Sequence, residues 1–198
     1  MAENSIRLIV GLGNPGPEYA KSRHNLGYDL LCRTADRHGI SLRDDPKFFG
    51  RSGRGDIMGH DVRLLFPTTF MNLSGKSVAA LAGFYKIAPE EILVLHDELD
   101  LPPGTARLKA GGGTGGHNGL KSIVSSLGNS QNFCRLRIGI GKPAERGDVI
   151  GFVLGSPAPA EKKLIEDTLD EALECIDLIF RQNLSRATSR LNGFKAAK

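Results

Sequence analysis

The stretch LHDELDLPPGTARLKAGGGTGGHNGLKS, Leu95 to Ser122, joins carboxylates, two histidines and a run of glycines to a basic strand. The apolar run Ile92 to Leu95 leads straight into His96, Asp97 and Glu98, so a buried strand delivers acids to its exposed end. In open α/β sheets that end is where ligands bind. Pro102, Pro103 and Gly104 then make a turn, Thr105 to Lys109 reads as a short alternating strand, and Gly111, Gly112, Gly113, Gly115 and Gly116 form a loop before His117 and Asn118. Glycines admit positive φ and let backbone come close to a ligand, at an entropic cost that a plain connection has no need to bear. A flexible surface loop is the bland alternative, and long loops without function are uncommon.

Outward from this stretch, strands and helices alternate. On the N-terminal side, Ile6 to Val10 is a strand that runs into the turn Gly11-Leu12-Gly13-Asn14-Pro15-Gly16, and Arg23-His24-Asn25 precede a helix with Leu26, Leu30, Leu31 and Ala35 on one face. Phe48 to Ile57 and Asp61 to Phe66 read as a hairpin about Met58-Gly59-His60. A helix carrying Val78, Leu81, Ala82 and Tyr85 follows, with Ser74 as its N-cap, and the loop before it presents Met71 and Asn72. Each of those two also has a plain structural use, in the core or in a local turn. Beyond the glycines come a helix with Leu120, Ile123, Val124 and Leu127, and a strand, Phe133 to Ile140, whose alternation puts Arg135 and Arg137 on one solvent-facing side. A Gly/Pro-rich linker, Gly141 to Pro159, leads to a long helix over about residues 160–181, with Leu164, Ile165, Leu169, Ala172, Leu173, Ile176 and Phe180 as its buried stripe and an acidic outer face. Residues 184–198 read as a basic tail, in which Arg186, Arg190, Lys195 and Lys198 follow Arg181 without an acid.

A length of 198 residues suits one ordinary domain with a substantial core. Cys32, Cys134 and Cys175 lie far apart among apolar neighbours, with no C-x-x-C pair, and read as small buried hydrophobes in a reducing compartment. The opening MAENSIRLIVGLG has no secretory pattern, and no apolar run approaches the length of a bilayer span, so a cytosolic protein with no membrane partner is expected. The formal charge of +4 is modest but uneven. Between Pro103 and Arg146 stand Arg107, Lys109, Lys121, Arg135, Arg137, Lys142 and Arg146 against Glu145 alone, a candidate phosphate-binding face. The paired guanidiniums of Arg135 and Arg137 suit phosphate oxygens; the alternative is an edge strand charged against aggregation.

Several chemistries compete for these residues. Gly11 to Gly16 is a literal G-x-G-x-x-G, but Pro15 removes an N–H from the turn and Asp36 lies within a helix, so a dinucleotide site has weak support. Gly119-Leu120-Lys121-Ser122 fails as a phosphate loop because Leu120 separates the glycine from the lysine. A metal site built from His24, His96, Asp97 and His117 lacks any supporting H-x-x-x-H or H-E-x-x-H spacing. There is no G-x-S-x-G elbow, and no cysteine has a polar setting. What remains is His24, Asp97, Asn14, Asn72 and Asn118, all at strand ends or helix starts. They are the parts for ester hydrolysis by water: a base, an acid to orient it, and neutral amides for an oxyanion or a substrate backbone. His24 stands where the positive end of a helix dipole disfavours an imidazolium. Asp97 beside it would offset that and select one tautomer, although spacing alone does not bring the two together. Alone, His24 reads equally well as a surface or capping residue.

The segments IVGLGNPGPEYAKSRHNLGYDLL, PTTFMNLSGKSV, HDELDLPPGTARLKAGGGTGGHNGLKSI and FCRLRIGIGKP, in this order, closely resemble the bacterial-type peptidyl-tRNA hydrolase family. The likeness covers nearly all of the chain, including Gly151 to Gly155 and the C-terminal helix. It implies a single α/β domain over residues 1–198, with a twisted, mostly parallel but mixed sheet flanked by helices, acting as a monomer with no metal and no cofactor. It implies hydrolysis of the ester joining a peptide, or an N-blocked aminoacyl group, to the 3′ ribose of tRNA. That reaction frees tRNA from peptidyl-tRNA dropped by ribosomes, and the partners are the tRNA acceptor end and the nascent peptide. By the same resemblance His24 is the catalytic base and Asp97 the acid that orients it. Asn14, Asn72 and Asn118 bind the peptide and the 3′ end and help position water, and Tyr19 and Met71 line the cleft. Lys109 and Arg137 grip tRNA phosphate, and the glycine loop over residues 110–118 is a mobile gate. Ser22 departs from the usual threonine. His96 and His117 stay open between substrate binding and structure, outside the catalytic set. An RNA-binding module without chemistry and a dinucleotide-dependent oxidoreductase are the alternatives from other classes.

Overall fold

The structure, a computed structural model, describes residues 6–144 and 147–197. Among them are seven strands, β1 (Leu8–Gly11), β2 (Arg43–Asp45), β3 (Gly50–Ile57), β4 (His60–Pro67), β5 (Ile92–Glu98), β6 (Ala106–Ala110) and β7 (Cys134–Gly139), in one sheet of order β2-β3-β4-β1-β5-β7-β6. The four inner strands, β4, β1, β5 and β7, run parallel, with β3 and β2 antiparallel on one flank and β6 on the other. The expected mixed α/β sheet is therefore present. Its helices are α1 (Leu26–His38), α2 (Ser74–Phe84), α3 (Asn118–Ser126), α4 (Val149–Leu154), α5 (Pro159–Arg181) and α6 (Leu184–Asn192). No helix among the described residues is long and apolar enough to cross a membrane.

The period of two along each inner strand sorts the core into two layers. Ile9, Leu93 and Leu95 pack with Leu30 and Leu31 of α1, Leu169 and Ile176 of α5 and Leu191 of α6. Leu8, Val10, Ile92 and Val94 pack on the opposite face with Val78 and Leu81 of α2 and Leu120 and Ile123 of α3. Continued to the end of β5, the same alternation turns Asp97 toward α1 and turns His96 and Glu98 toward α3. Glycine at position 27 completes the arrangement, since a Cβ there would run into the Leu95 carbonyl of β5. The start of α1 thus lies directly on β5, two residues before Asp97.

Four local expectations need correction. Ser74 is the first residue of α2 rather than its cap: Leu73 holds the cap position and the Ser74 hydroxyl donates to Met71 O at 2.7 Å. The linker over Gly141 to Pro159 contains α4. The basic tail is largely α6, capped by the Asn183 side chain, with Arg190 bound to Glu171 at 2.9 Å. Its Asn192 accepts the Leu108 N–H at 2.9 Å, so this helix covers the edge strand β6. Lys198 lies outside the described residues. Cys134 and Cys175 are buried as expected, but Cys32 is half-buried.

Candidate active site

His24 sits on a single 3₁₀ turn, Arg23–Asn25, at the entry to α1, and is buried with 8% of its surface exposed. Its Nδ1 lies 2.9 Å from both oxygens of Asp97. A carboxylate only accepts, so the proton is on Nδ1 and the lone pair of the neutral ring is on Nε2. That Nε2 has no hydrogen-bond partner among the described residues and is not sealed from solvent. His24 and Asp97 line a cleft with His117, Asn118, Gly115 and Gly116, closed on one side by Val149, Ile150 and Val153 of α4.

His117 is the member of this site that spacing left undecided. Its Nδ1 accepts the backbone N–H of Gly119 at 3.1 Å and of Leu120 at 3.4 Å, which makes it the N-cap of α3. The cap takes the lone pair on Nδ1, so Nε2 carries the proton and donates to Asp97 Oδ1 at 2.9 Å. Asp97 therefore receives two imidazole donors. Burial alone would raise its carboxyl; the electrostatic attraction of the His117 and His24 imidazoles and their hydrogen bonds outweigh burial and hold it well below the usual carboxylate range. The sequence did carry a local signal for His117, a polar side chain directly before a helical pattern.

His96 faces the other side of the sheet. Its Nδ1 is 2.8 Å from Asp97 O, and its Nε2 is buried without a partner. Burial, reinforced by the neighbouring His117 imidazole, pushes this imidazole down to about 3, which favours its neutral form. Ligand atoms of His24, Asp97 and His117 do lie within 4.8 Å of one another, a spacing a metal ion accepts. Both imidazoles, however, turn N–H groups to the carboxylate, and a cation would have to displace both hydrogen bonds.

The glycine turn after β1 is filled from within. Asn25 accepts the Asn14 N–H at 2.8 Å and donates to Asn14 O at 2.9 Å, and its side chain occupies the space beside Gly13. The Leu12 and Asn14 N–H groups are thus spent within the fold and Pro15 has none, which weighs against a pyrophosphate cradle in this turn. Asn25, whose part the sequence did not reveal, thereby fixes Asn14. The Asn14 Oδ1 accepts the Met71 N–H at 2.9 Å, which leaves its Nδ2 group without a protein partner among the described residues. Met71 is buried beside Gly119, and Asn118 opens α3 on the cleft. Asn72 is exposed on the turn Met71–Leu73, and Tyr19 is half-buried on the turn Pro17–Tyr19. Neither contacts His24 or Asp97, and neither lines the cleft around them.

On the α3 side of the sheet, the glycine loop takes positive φ at Gly111, Gly112, Gly115 and Gly116, as its composition predicts. The pair of solvent-facing guanidiniums does not survive. Arg135 is 1% exposed, donates to the carbonyls of Gly113 and Gln131, and lies 4.3 Å over the Phe133 ring, because the glycine loop folds back over β7. Arg137 stays partly exposed, with Nε held by Glu98 Oε1 at 2.9 Å and no hydrogen bond to its two Nη groups among the described residues. Lys109, on the neighbouring strand β6, is exposed beside Gly112. Lys142 is paired with Asp100 at 3.3 Å, and Glu145 and Arg146 lie outside the described residues. The strand carrying the arginines is also interior, between β5 and β6, so a charged edge does not explain them.

The family model described as peptidyl-tRNA hydrolase matches residues 8–198. The chain is 62% identical over 193 residues to a peptidyl-tRNA hydrolase of Edwardsiella ictaluri, covering 98% of each, and 60% identical over 192 residues to one of Haemophilus influenzae, covering 97% of this chain and 99% of the relative. Among solved structures, a peptidyl-tRNA hydrolase from Acinetobacter baumannii superposes with a TM-score of 0.95 at 51% identity, over 100% of both chains.

Proposed function

Because the chain belongs to the peptidyl-tRNA hydrolase family, and so hydrolyses peptidyl-tRNA, we propose that His24 is the base that activates the attacking water and that Asp97 holds it for the task. The observation that supports this most is the free, solvent-reaching Nε2 of a His24 ring whose Nδ1 is fastened to Asp97. In this reading Nε2 removes a proton as the water oxygen bonds to the ester carbonyl carbon. The carbonyl oxygen becomes an oxyanion, and amide N–H groups of the site receive it. As the tetrahedral intermediate collapses, the bond to the 3′ oxygen breaks and the His24 imidazolium returns its proton to that oxygen. The products are tRNA with a free 3′ hydroxyl and a peptide carboxylic acid, which keeps the second proton of the water and releases it to solvent to become the carboxylate. Asp97 stabilises the imidazolium without taking its proton, consistent with a carboxyl held far on the ionised side.

Asn14, Asn72 and Asn118 bind the peptide and the 3′ end and position the water, while Tyr19 and Met71 shape the cleft. Direct attack by water has a kinetic signature: in rapid-quench experiments tRNA and peptide are expected to appear together. A burst of tRNA ahead of peptide would instead mean a covalent acyl-enzyme.

Lys109 and Arg137 grip tRNA phosphates, supported by the exposed ammonium of the first and the two uncommitted Nη groups of the second. Contacts of this kind read backbone, so little preference among tRNAs is expected. Lys109→Gln and Arg137→Gln should each weaken different tRNAs alike and reduce the slope of log affinity against log salt by about 1. Equal affinity of the wild type at low and high salt would refute the assignment. The same reading has one domain over residues 1–198 act as a monomer in the cytoplasm, supported by the single sheet under both core layers and by the free thiols of Cys32, Cys134 and Cys175.

A further inference from the structure

We propose that Arg23 is a positioning residue that fixes α4 against the turn carrying His24, and that the apolar wall held in this way receives the side chain of the esterified residue of the substrate's peptide. The proposal rests on the reading of His24 as the base.

Arg23 reaches α4 by several independent contacts. Its backbone N–H donates to Gly155 O at 2.9 Å, and its Nη1 donates to Phe152 O at 2.9 Å. The guanidinium lies 4.0 Å from the centre of the Phe152 ring, and Nη2 is 3.5 Å from Glu161 at the start of α5. Its side chain is 11% exposed, and Nε is buried without a partner. Leaving an Arg donor unmatched in the interior is costly, so the side chain is not there for its own solvation. A planar fork that meets a carbonyl and a carboxylate while stacking on a ring is a task for Arg and not for Lys.

The helix it holds is six residues long, VIGFVL, without a charged side chain. So short a helix does not stand by its own hydrogen bonds. It nevertheless leaves Val149 40% and Ile150 71% exposed, and these two, with Val153, border the cleft that contains His24 and Asp97. The rest of the lining is Leu99 and polar or side-chain-free residues, Glu98, His117, Asn118, Gly115 and Gly116. An ester carbonyl carbon placed for attack at His24 has the Cβ of its residue only two bonds away. That side chain must therefore lie in the same cleft, where α4, with three of the four apolar side chains of the lining beside Leu99, is the main apolar surface able to cover it.

The test compares kcat/KM for N-acetyl-leucyl and N-acetyl-glycyl esters of the same tRNA. The wild type is expected to favour the leucyl ester by about ten-fold, the usual scale for a small apolar group in a pocket. Ile150→Ser and Arg23→Met should each bring the ratio toward one, with Arg23→Lys, which keeps the charge over the ring but loses the fork, in between. A general folding defect lowers both substrates alike and leaves the ratio standing, so the ratio separates positioning from mere stability. A wild-type ratio near one, or a ratio untouched by Ile150→Ser or by Arg23→Met, would overturn the proposal. If Arg23→Met loses its cooperative melt, an unchanged ratio in Arg23→Lys overturns it instead. Full activity of His24→Ala on both esters would sink the underlying site reading, a result distinct from a changed ratio.

Discussion

His24→Ala is expected to slow single-turnover hydrolysis of N-acetyl-aminoacyl-tRNA by about 10²–10⁴, the range for loss of a general base. No other group stands ready to replace it. The nearest imidazole, His117, has its ring 4.8 Å from that of His24, but its Nδ1 is spent on the cap of α3 and its Nε2–H on Asp97. His96, pushed down to about 3 by burial and facing the other side of the sheet, is no substitute either. Binding of tRNA should persist, because Lys109 and Arg137 lie on the opposite face from His24. Alanine also leaves the buried Asp97 with a single imidazole donor, which weakens the fold. His24→Asn is the companion variant, since its amide still offers an N–H to Asp97 yet cannot accept a proton. If either variant keeps more than about a tenth of the wild-type rate, His24 is not the base.

Asp97→Asn should cost about as much as the most severe His24 change, on the order of 10⁴, the scale seen when a catalytic histidine is held in the wrong tautomer. The direction follows from His117. Its cap fixes it as a donor at Nε2, so an asparagine at position 97 turns its oxygen toward His117. The amide nitrogen then replaces Oδ2, which is 2.9 Å from His24 Nδ1, and presents N–H where N–H used to arrive. Oδ1, also 2.9 Å from His24 Nδ1, is shared with the fixed His117 donor, so the opposed N–H groups favour the His24 tautomer that carries its proton on Nε2 and has no lone pair there for water. The loss of negative charge removes support for the imidazolium as well. A rate within ten-fold of wild type, with tRNA still bound, would show that Asp97 only packs. Measuring His117→Ala in the Asp97→Asn background separates the two effects: tautomer trapping predicts partial recovery, because the asparagine oxygen is then free to turn to His24.

Elements set by local pattern were legible in the sequence. The helix after Asn25, the hairpin about Met58 and Gly59, the buried run of β5 and the stripe of α5 follow from periodicity and turn chemistry, which act within a few residues. The positive φ angles of the glycine loop were legible for the same reason. Candidate side chains could be listed from the sequence as well, since chemistry restricts which residue types can serve as base, orienter and oxyanion donor; their roles are what the variants above test. Spacing did not decide which of them meet.

Contact was decided by tertiary structure. His24 and Asp97 are 73 residues apart, and they touch because α1 lies on β5 over a glycine at position 27. Arg135 and Arg137 have the same periodicity, yet one is roofed by the glycine loop and the other is not, a difference made by a segment more than twenty residues away. The α4 wall was hidden in a stretch whose glycines and prolines read as a linker, because six residues acquire helical form only when something like Arg23 braces them. The charge of a residue and the period of an element belong to the chain. Which lone pair is left free, and which cation is left in water, depends on the partner across the fold, because a donor or acceptor is spent only by what packs against it.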